Sequence, residues 1–456
     1  MEADADADII AAIATPPGQG GIGVIRLSGK NLAGLAQVIL GKLPRPRHAQ
    51  LCNFRDTEHR IIDQGIALYF PAPHSYTGED VLELQGHGGT AILSLLLEQC
   101  LRAGARMAQP GEFTLRAYLN NKIDLIQAEG VADIIAASTT EAVRCAIQSL
   151  RGNFSQRIDE MVNALITLRM LIEATLDFPE EEIDSIQIMQ IKNDLQALQQ
   201  RFEDIFAAAR QGHILQEGIK IVLVGSPNVG KSSLLNQLAE EDAAIVTDIP
   251  GTTRDTIQRN ITINAIPLHI IDTAGLRDTS DLVEQKGIER TLAAIDNADV
   301  VIHLIDFSST QHQDPLNKSG TLGIPTDKPI IMVFNKIDLL GQDPRIEQTD
   351  TTHTVYISAK TGAGIELLRD TILNAIGWKS QPSPEGIYMA RQRHLEALTQ
   401  ARSHLQAASG FIDHQYQLEL LAEELRLTQT ALTSITGRFT PDDLLGEIFS
   451  HFCIGK

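Results

Sequence analysis

The chain has 456 residues, and its 58 acidic against 38 basic side chains leave a formal charge of -20. At roughly 100 to 200 residues per domain, that length excludes a single domain. The acidity disfavours phosphate backbones and anionic lipid surfaces, since no linear cluster of Lys and Arg offsets it; an RNA substrate would need a folded basic patch or a partner that supplies one.

The opening stretch, Met1 to Asp8, alternates acids with Ala and lacks the basic segment and apolar run of a secretory signal. No other stretch reaches about 18 consecutive apolar residues. The reading is a soluble, cytoplasmic protein with no stable membrane insertion. Cys52, Cys100, Cys145 and Cys453 lie too far apart in sequence for a zinc or dithiol motif, so neither a structural metal nor a disulfide is expected.

From Asp8 to Asn120, short β-rich runs alternate with Gly and Pro. Ile9 to Ala14, Gly23 to Leu27, Ile61 to Phe70 and Val81 to Leu84 are expected strands, and Thr90 to Ala103 an expected helix. Exposed loops are expected at Thr15 to Gly21, Pro71 to Glu79 and Gly86 to Gly89. From Leu125 the period changes. Val143, Ile147, Leu150, Phe154, Ile158, Met161, Leu165, Leu168 and Ile172 recur at three- and four-residue steps, which predicts one long packed helix ending near Phe178-Pro179. Ile188, Ile191, Leu195, Leu198, Phe202 and Ile205 predict a second, running to about Arg210. Similar stripes after Gln392 suggest that N-terminal and C-terminal helices share a bundle.

Between these helices, Lys220 to Val224, His269 to Asp272, Val300 to Asp306, Ile330 to Asn335 and Val355 to Ser358 are apolar strands with helix-length connections. That rhythm predicts a βα sheet covered on both faces. The fold class is therefore multidomain: an α+β N-terminal domain, an α-helical bundle, and an α/β phosphate-loop domain inserted into the bundle at Gly212 to Gly218 and Lys379 to Gly386. The expected boundaries are residues 1–120, 121–214 and 379–456 for the two parts of the helical domain, and 215–378 for the insert.

Gly225-Ser226-Pro227-Asn228-Val229-Gly230-Lys231-Ser232 satisfies the phosphate-loop pattern between a strand and a helix that opens with Ser233. Its backbone amides can hold phosphate oxygens, Lys231 can reach the terminal phosphates, and Ser232 can coordinate magnesium. Asn335-Lys336-Ile337-Asp338 follows another apolar strand. The Asp338 carboxylate can accept from guanine N1-H and the exocyclic amine together, whereas adenine presents the wrong pattern. With these motifs in view, the stretch resembles translation-factor-like small GTPase domains. The resemblance implies a first switch at Gly251-Thr252-Thr253-Arg254-Asp255, a second at Asp272-Thr273-Ala274-Gly275, and a base-side loop at Ser358-Ala359-Lys360. It also implies that Thr253 reaches magnesium, Asp272 acts through its water shell and Gly275 senses the γ-phosphate. Leu276 stands where signalling GTPases carry a water-orienting Gln. Either hydrolysis is very slow or another group acts, with Asp278, Asp281, Glu284 and Glu289 as acidic candidates.

The sequence resembles the MnmE (TrmE) family over nearly its whole length. Besides the GTPase motifs, the resemblance is carried by Gly20-Gly21-Ile22-Gly23-Val24-Ile25-Arg26, by Pro110-Gly111-Glu112-Phe113-Thr114 with Arg116 and Leu119-Asn120, and by the terminal Cys453-Ile454-Gly455-Lys456. It implies a folate-binding-like N-terminal domain that forms a homodimer, and potassium-assisted pairing of GTPase domains. Asn228, Thr247, Ile249 and Thr252 would hold potassium within the nucleotide-contacting stretch Thr247-Asp248-Ile249-Pro250-Gly251-Thr252-Thr253. Glu284 would position the attacking water, with Arg254, Arg277 and Arg290 as competitors. Arg26, Glu83, Lys122 and Lys456 would contact a tetrahydrofolate derivative in its 5-formyl or methylene form. Cys453 would take part in uridine activation, although beside Phe452 and Ile454 a cysteine is also an ordinary small hydrophobe. The implied activity is GTP-driven addition of a carboxymethylaminomethyl group to the wobble uridine of certain tRNAs, with an MnmG-type FAD protein in a heterotetramer or larger complex. The rival is a ribosome-assembly or regulatory GTPase without covalent RNA chemistry. A second phosphate-loop domain or a basic extension would favour that rival, and neither occurs in the sequence.

Overall fold

A computed structural model describes residues 8–177, 185–240, 258–264, 266–272, 293–309, 328–348, 353–378, 386–411, 417–437, 448–450, 452 and 455. They fall into two compact units, one of residues 1–136, 147–199 and 397–456, the other of residues 137–146 and 200–396.

The first unit begins with β1 (Ile9–Ile13), β2 (Gly20–Gly29), α1 (Ala33–Leu40), β3 (Gln50–Arg55), β4 (Ile61–Phe70), β5 (Asp80–Gly88), α2 (Thr90–Arg102), β6 (Ala105–Met107) and α3 (Glu112–Leu119). The six strands form one sheet in the order β3-β4-β5-β2-β1-β6. Alternation sorts its faces: Ile25, Leu27, Leu82, Leu84, Ala67 and Phe54 point into a core closed by Leu35, Ile39, Leu93 and Leu96 of α1 and α2. On the opposite face, Ile10 and Ala12 meet Phe113, and Arg26 and Glu83 stand as cross-strand partners. β3 and β6 were not foreseen, being short and weakly patterned. Gly86 and Gly88 are strand rather than loop because they pair with Gly23 and Gly20.

An ionic cluster fastens α3. Glu112 accepts from Arg106 at 2.5 and 2.9 Å, from Arg116 at 3.1 Å and from the Gln109 amide at 2.8 Å. Burial alone would raise its carboxyl, but these donors hold it below the ordinary Glu value. A depressed folded pKa gives stability that is present above the unfolded value near about 4.3 and is lost as pH falls through the folded one. Glu112→Gln should therefore flatten the acid limb of stability. Parallel denaturation curves for the two proteins between about pH 6 and about pH 3 would contradict this.

The predicted long helix is three helices, α4 (Leu125–Ala136), α5 (Thr140–Leu150) and α6 (Asn153–Asp177). The breaks fall at residues 137–139 and at Arg151-Gly152, where Gly152 has φ 81°; α5 buries Ala142, Cys145, Ala146 and Ser149 and leaves Ile147 of the expected stripe exposed, whereas Phe154, Ile158, Met161, Leu165, Leu168 and Ile172 are buried along α6. α7 (Ser185–Glu217) extends past the expected Arg210 and encloses Gly212, so only Gly218, with φ 73°, serves as the turn into the next strand.

The second unit holds β7 (Ile219–Val224), α8 (Lys231–Glu240), β8 (Gln258–Ile263), β9 (Ile266–Asp272), β10 (Val300–Asp306), β11 (Ile330–Asn335), β12 (Arg345–Gln348), β13 (His353–Tyr356) and α9 (Ile365–Ala375). The sheet order is β12-β13-β11-β10-β7-β9-β8, parallel except for the two edge strands. Those edge strands, β8 and β12, were the ones missed. The buried parallel strands are near-continuous apolar runs, as this architecture requires.

Gly212 makes a contact only glycine permits: a Cβ there would lie 1.5 Å from the Tyr388 carbonyl oxygen. Alanine favours helix by about 1 kcal/mol, yet forcing the backbones apart should cost more, about 1–3 kcal/mol net. Gly212→Ala should therefore lower the melting temperature, and an unchanged or raised value in a thermal scan would show that the segments separate without strain.

Returning to the first unit, α10 (Gln392–Phe411) runs into it and α11 (Leu418–Thr436) packs on α6, where Arg169 donates to Gln429 at 2.8 Å. Leu418, Leu421, Leu425, Leu432 and Ile435 make the buried stripe of α11, and Gly437 ends it with φ 80°. The helix expected from Thr440 lies largely outside the described residues. Its last part, Ile448, Phe449 and Phe452, is buried with Leu125 and Ala128.

Candidate functional site: the carboxyl edge of the parallel sheet

β7, β9, β10, β11 and β13 end on one edge of the sheet, and the sequence motifs follow from those ends. Val224 leads into the phosphate loop. Asn228 takes φ 63° and Gly230 φ 102°, and α8 starts directly, with the Leu234 amide bonded to the Gly230 carbonyl at 2.9 Å. A side chain at Gly230 would collide with Asn335 Nδ2 at 2.3 Å, and one at Gly225 with the Leu304 carbonyl at 2.5 Å, so this cradle is built from bare backbone. Val229 is buried, while Asn228, Ser232 and Ser233 are exposed. The Lys231 ammonium donates to the carbonyls of Gly225 at 2.6 Å and Ser226 at 3.3 Å, which keeps it over the loop.

The base side is knitted to this loop. Asn335, buried, donates through Nδ2 to the Val229 carbonyl at 2.7 Å and accepts the Ala359 amide on Oδ1 at 2.8 Å. The Ser358 hydroxyl donates to Asp338 Oδ1 at 2.7 Å, so one carboxylate oxygen is oriented and the exposed side chain can still receive a planar pair of donors. Lys360 is exposed beside them, and Lys336 is held by Asp306, a residue the sequence had not singled out. The structure thus brings the phosphate loop, Asn335 to Asp338 and Ser358 to Lys360 into one site. Asp272 ends β9 in register with Leu223 of β7. Thr247, Asp248, Ile249, Pro250, Gly251, Thr252, Thr253, Thr273, Ala274, Gly275 and Glu284 lie outside the described residues.

A second cluster sits in the first unit. Arg26 and Glu83 pair at 2.9 Å, and Arg26 Nη1 donates to the Gly455 carbonyl at 3.3 Å, which puts Gly455 beside the sheet. Gly455 packs against Ile13 and Ala14 at φ 97°. The Arg26 guanidinium also lies 5.6 Å from the Tyr76 ring centre and 5.9 Å from that of Phe113. Lys122 instead donates to the Pro73 carbonyl at 2.9 Å. Cys453 and Lys456 lie outside the described residues. Among the described residues, no helix is long and apolar enough to cross a membrane.

A backbone phosphate cradle, a lysine over it and a carboxylate-bearing base motif on one parallel edge define the class of phosphate-loop GTPases. Two family models match this chain: the GTP-binding protein TrmE N-terminus over residues 9–122 and the MnmE helical domain over residues 125–453. The tRNA modification GTPase MnmE of Nitrosomonas europaea is 61% identical over 449 residues, with 98% of this chain and 99% of that protein covered. Its namesake from Nitrosomonas eutropha is 60% identical over 451 residues, with the same 98% and 99% coverage. Among solved structures, a single-residue variant of Aquifex aeolicus Era bound to GDP.AlF4- shares 28% identity over 41% of this chain and 66% of that one, at a TM-score of 0.27. The chain belongs to the MnmE (TrmE) family and is a tRNA modification GTPase.

Proposed function

We propose that the protein couples GTP hydrolysis to building a carboxymethylaminomethyl group on C5 of the wobble uridine of certain tRNAs, as a cytoplasmic homodimer working with an MnmG-type FAD protein. The observation that carries this reading beyond GTP turnover is the Arg26–Glu83 pair with Gly455 drawn onto it. A carboxylate and a guanidinium side by side suit the amide-like edge and acidic tail of a tetrahydrofolate derivative. Gly455 is the sequence neighbour of Lys456 and lies two positions after Cys453. When bound, the folate supplies a one-carbon unit. Arg26 and Glu83 orient it, Lys122 and Lys456 add positive charge for its tail, and Cys453 is the candidate for uridine activation.

Homodimerisation is supported by the sheet face away from α1 and α2. There Leu51 is 73% exposed, Ile66 39% and Ile22 69%, apolar surface that a second copy would cover. In the GTPase domain, Asp338 reads guanine, Lys231 engages the terminal phosphates, and Ser232 and Thr253 hold magnesium, which would counter charge on the phosphates. Asn228, Thr247, Ile249 and Thr252 hold potassium, and Glu284 positions water in the absence of a Gln at Leu276. Mass spectrometry of wobble uridines from a strain lacking the protein tests the pathway. The carboxymethylaminomethyl group should vanish; its persistence, with no redundant homologue, would reject the reading in favour of a GTPase without RNA chemistry.

A further inference from the structure

Lys336 adopts a left-handed backbone, φ 71° and ψ 33°, which is costly for a residue with a Cβ and persists only where surrounding contacts over-determine it. Its ammonium is fixed as well. Nζ lies 2.6 Å from Oδ2 of Asp306, the last residue of β10, which stands opposite Asn335 in the parallel register. The other carboxylate oxygen accepts the Ser308 amide at 3.0 Å and the Ser308 hydroxyl at 2.6 Å, and the Ser309 hydroxyl donates to the Asp306 carbonyl at 2.9 Å. The two paired side chains are only 30% and 20% exposed, unlike a solvated surface pair. Burial would raise the Asp306 carboxyl, but Lys336 and Ser308 hold it below the ordinary value, so it remains an anion through neutral pH.

Both ends of the lysine side chain are therefore anchored, its Cα by the turn that begins the Asp338 motif and its Nζ by β10. We propose that Asp306 is a positioning residue for the nucleotide: it tethers Lys336 so that the four-carbon stem forms a preset apolar platform for the base read by Asp338. The proposal rests on the guanine reading of Asp338. An untethered lysine would have to lose its rotamer freedom on binding, and the ion pair removes that cost before the nucleotide arrives.

The test is equilibrium binding of fluorescent GDP to the full-length protein and to Asp306→Ala, Lys336→Ala and the double variant. Asp306→Ala should weaken binding about tenfold in the native background and less than about twofold when Lys336 is already Ala. An equal loss in both backgrounds would mean that Asp306 only supports the end of β10, and no loss in either would mean that the pair is idle; each overturns the proposal. Asp306→Asn, which keeps acceptor contacts to Ser308, carries the same comparison should Asp306→Ala melt early. Asp338→Asn separates the two readings. A switch from GDP to xanthosine diphosphate with a flat cycle rejects the tether alone, whereas failure to switch rejects the guanine reading and the tether with it.

Discussion

Asp338→Asn is expected to weaken GTP binding by about 10²- to 10⁴-fold, with preference passing to xanthosine triphosphate. The carboxylate would accept two guanine donors, and with one oxygen already oriented by Ser358 at 2.7 Å it cannot turn away to solvent without breaking that bond. An amide offers one acceptor and one donor. Xanthine carries a carbonyl where guanine has its amine, so the new donor finds an acceptor there while guanine faces an N-H against an N-H. Competition of labelled GTP by xanthosine triphosphate in the two proteins reads the switch directly. Equal GTP affinity in both would remove Asp338 from base recognition. The folded state should be little affected, since the side chain is exposed and the link from the phosphate loop to Ala359 runs through Asn335 rather than Asp338.

Glu284→Gln should lower single-turnover hydrolysis about 100-fold while leaving GTP affinity within about twofold, because a water-positioning carboxylate acts mainly in the transition state. The motivation is Leu276, an aliphatic side chain where other GTPases orient water with Gln. The same assay in potassium and in sodium at matched ionic strength separates the ion from the acid. Potassium accepts several oxygen ligands at longer distances, so sodium should support less turnover and less domain pairing in a GDP-aluminium-fluoride complex. Near-normal single turnover by Glu284→Gln would shift the role to Arg254, Arg277 or Arg290, and equal rates in the two salts would dismiss potassium.

The elements that could be read from sequence are those in which one physical signal dominates. β7, β10 and β11 are near-continuous apolar runs, mostly buried, and each of the first and last delivers a motif at its carboxyl end. The edges carry no such signal. β8 and β12 are each paired on one side only and mix polar residues into short runs, so neither burial nor alternation marks them. The division of one predicted helix into α4, α5 and α6 was hidden for the opposite reason: large apolar residues recur at helical spacing across Arg151-Gly152 although α5 buries Ala142, Cys145, Ala146 and Ser149 instead of Ile147, and Gly152 is the sequence hint of a break there. At the nucleotide site, spacing identified Lys231, Asn335 and Asp338, but not why they stay together. That depends on Asn335 bridging Val229 and Ala359, and on Asp306 reaching Lys336 from the neighbouring strand, contacts between segments far apart in sequence. The Arg26–Glu83 pair was likewise visible only through resemblance until the register of β2 and β5 made the residues cross-strand partners.

Turnover at this nucleotide site is proposed to drive the uridine chemistry. The most direct test uses the Asp338→Asn protein in a reconstituted reaction with an MnmG-type FAD protein, unmodified tRNA, a tetrahydrofolate derivative, a reductant for the flavin and an amine donor (glycine or ammonium), supplied with either GTP or xanthosine triphosphate. Modified uridine should form with xanthosine triphosphate and not with GTP, the reverse of the native protein. Modification that proceeds equally with either nucleotide, or with neither, would contradict the coupling.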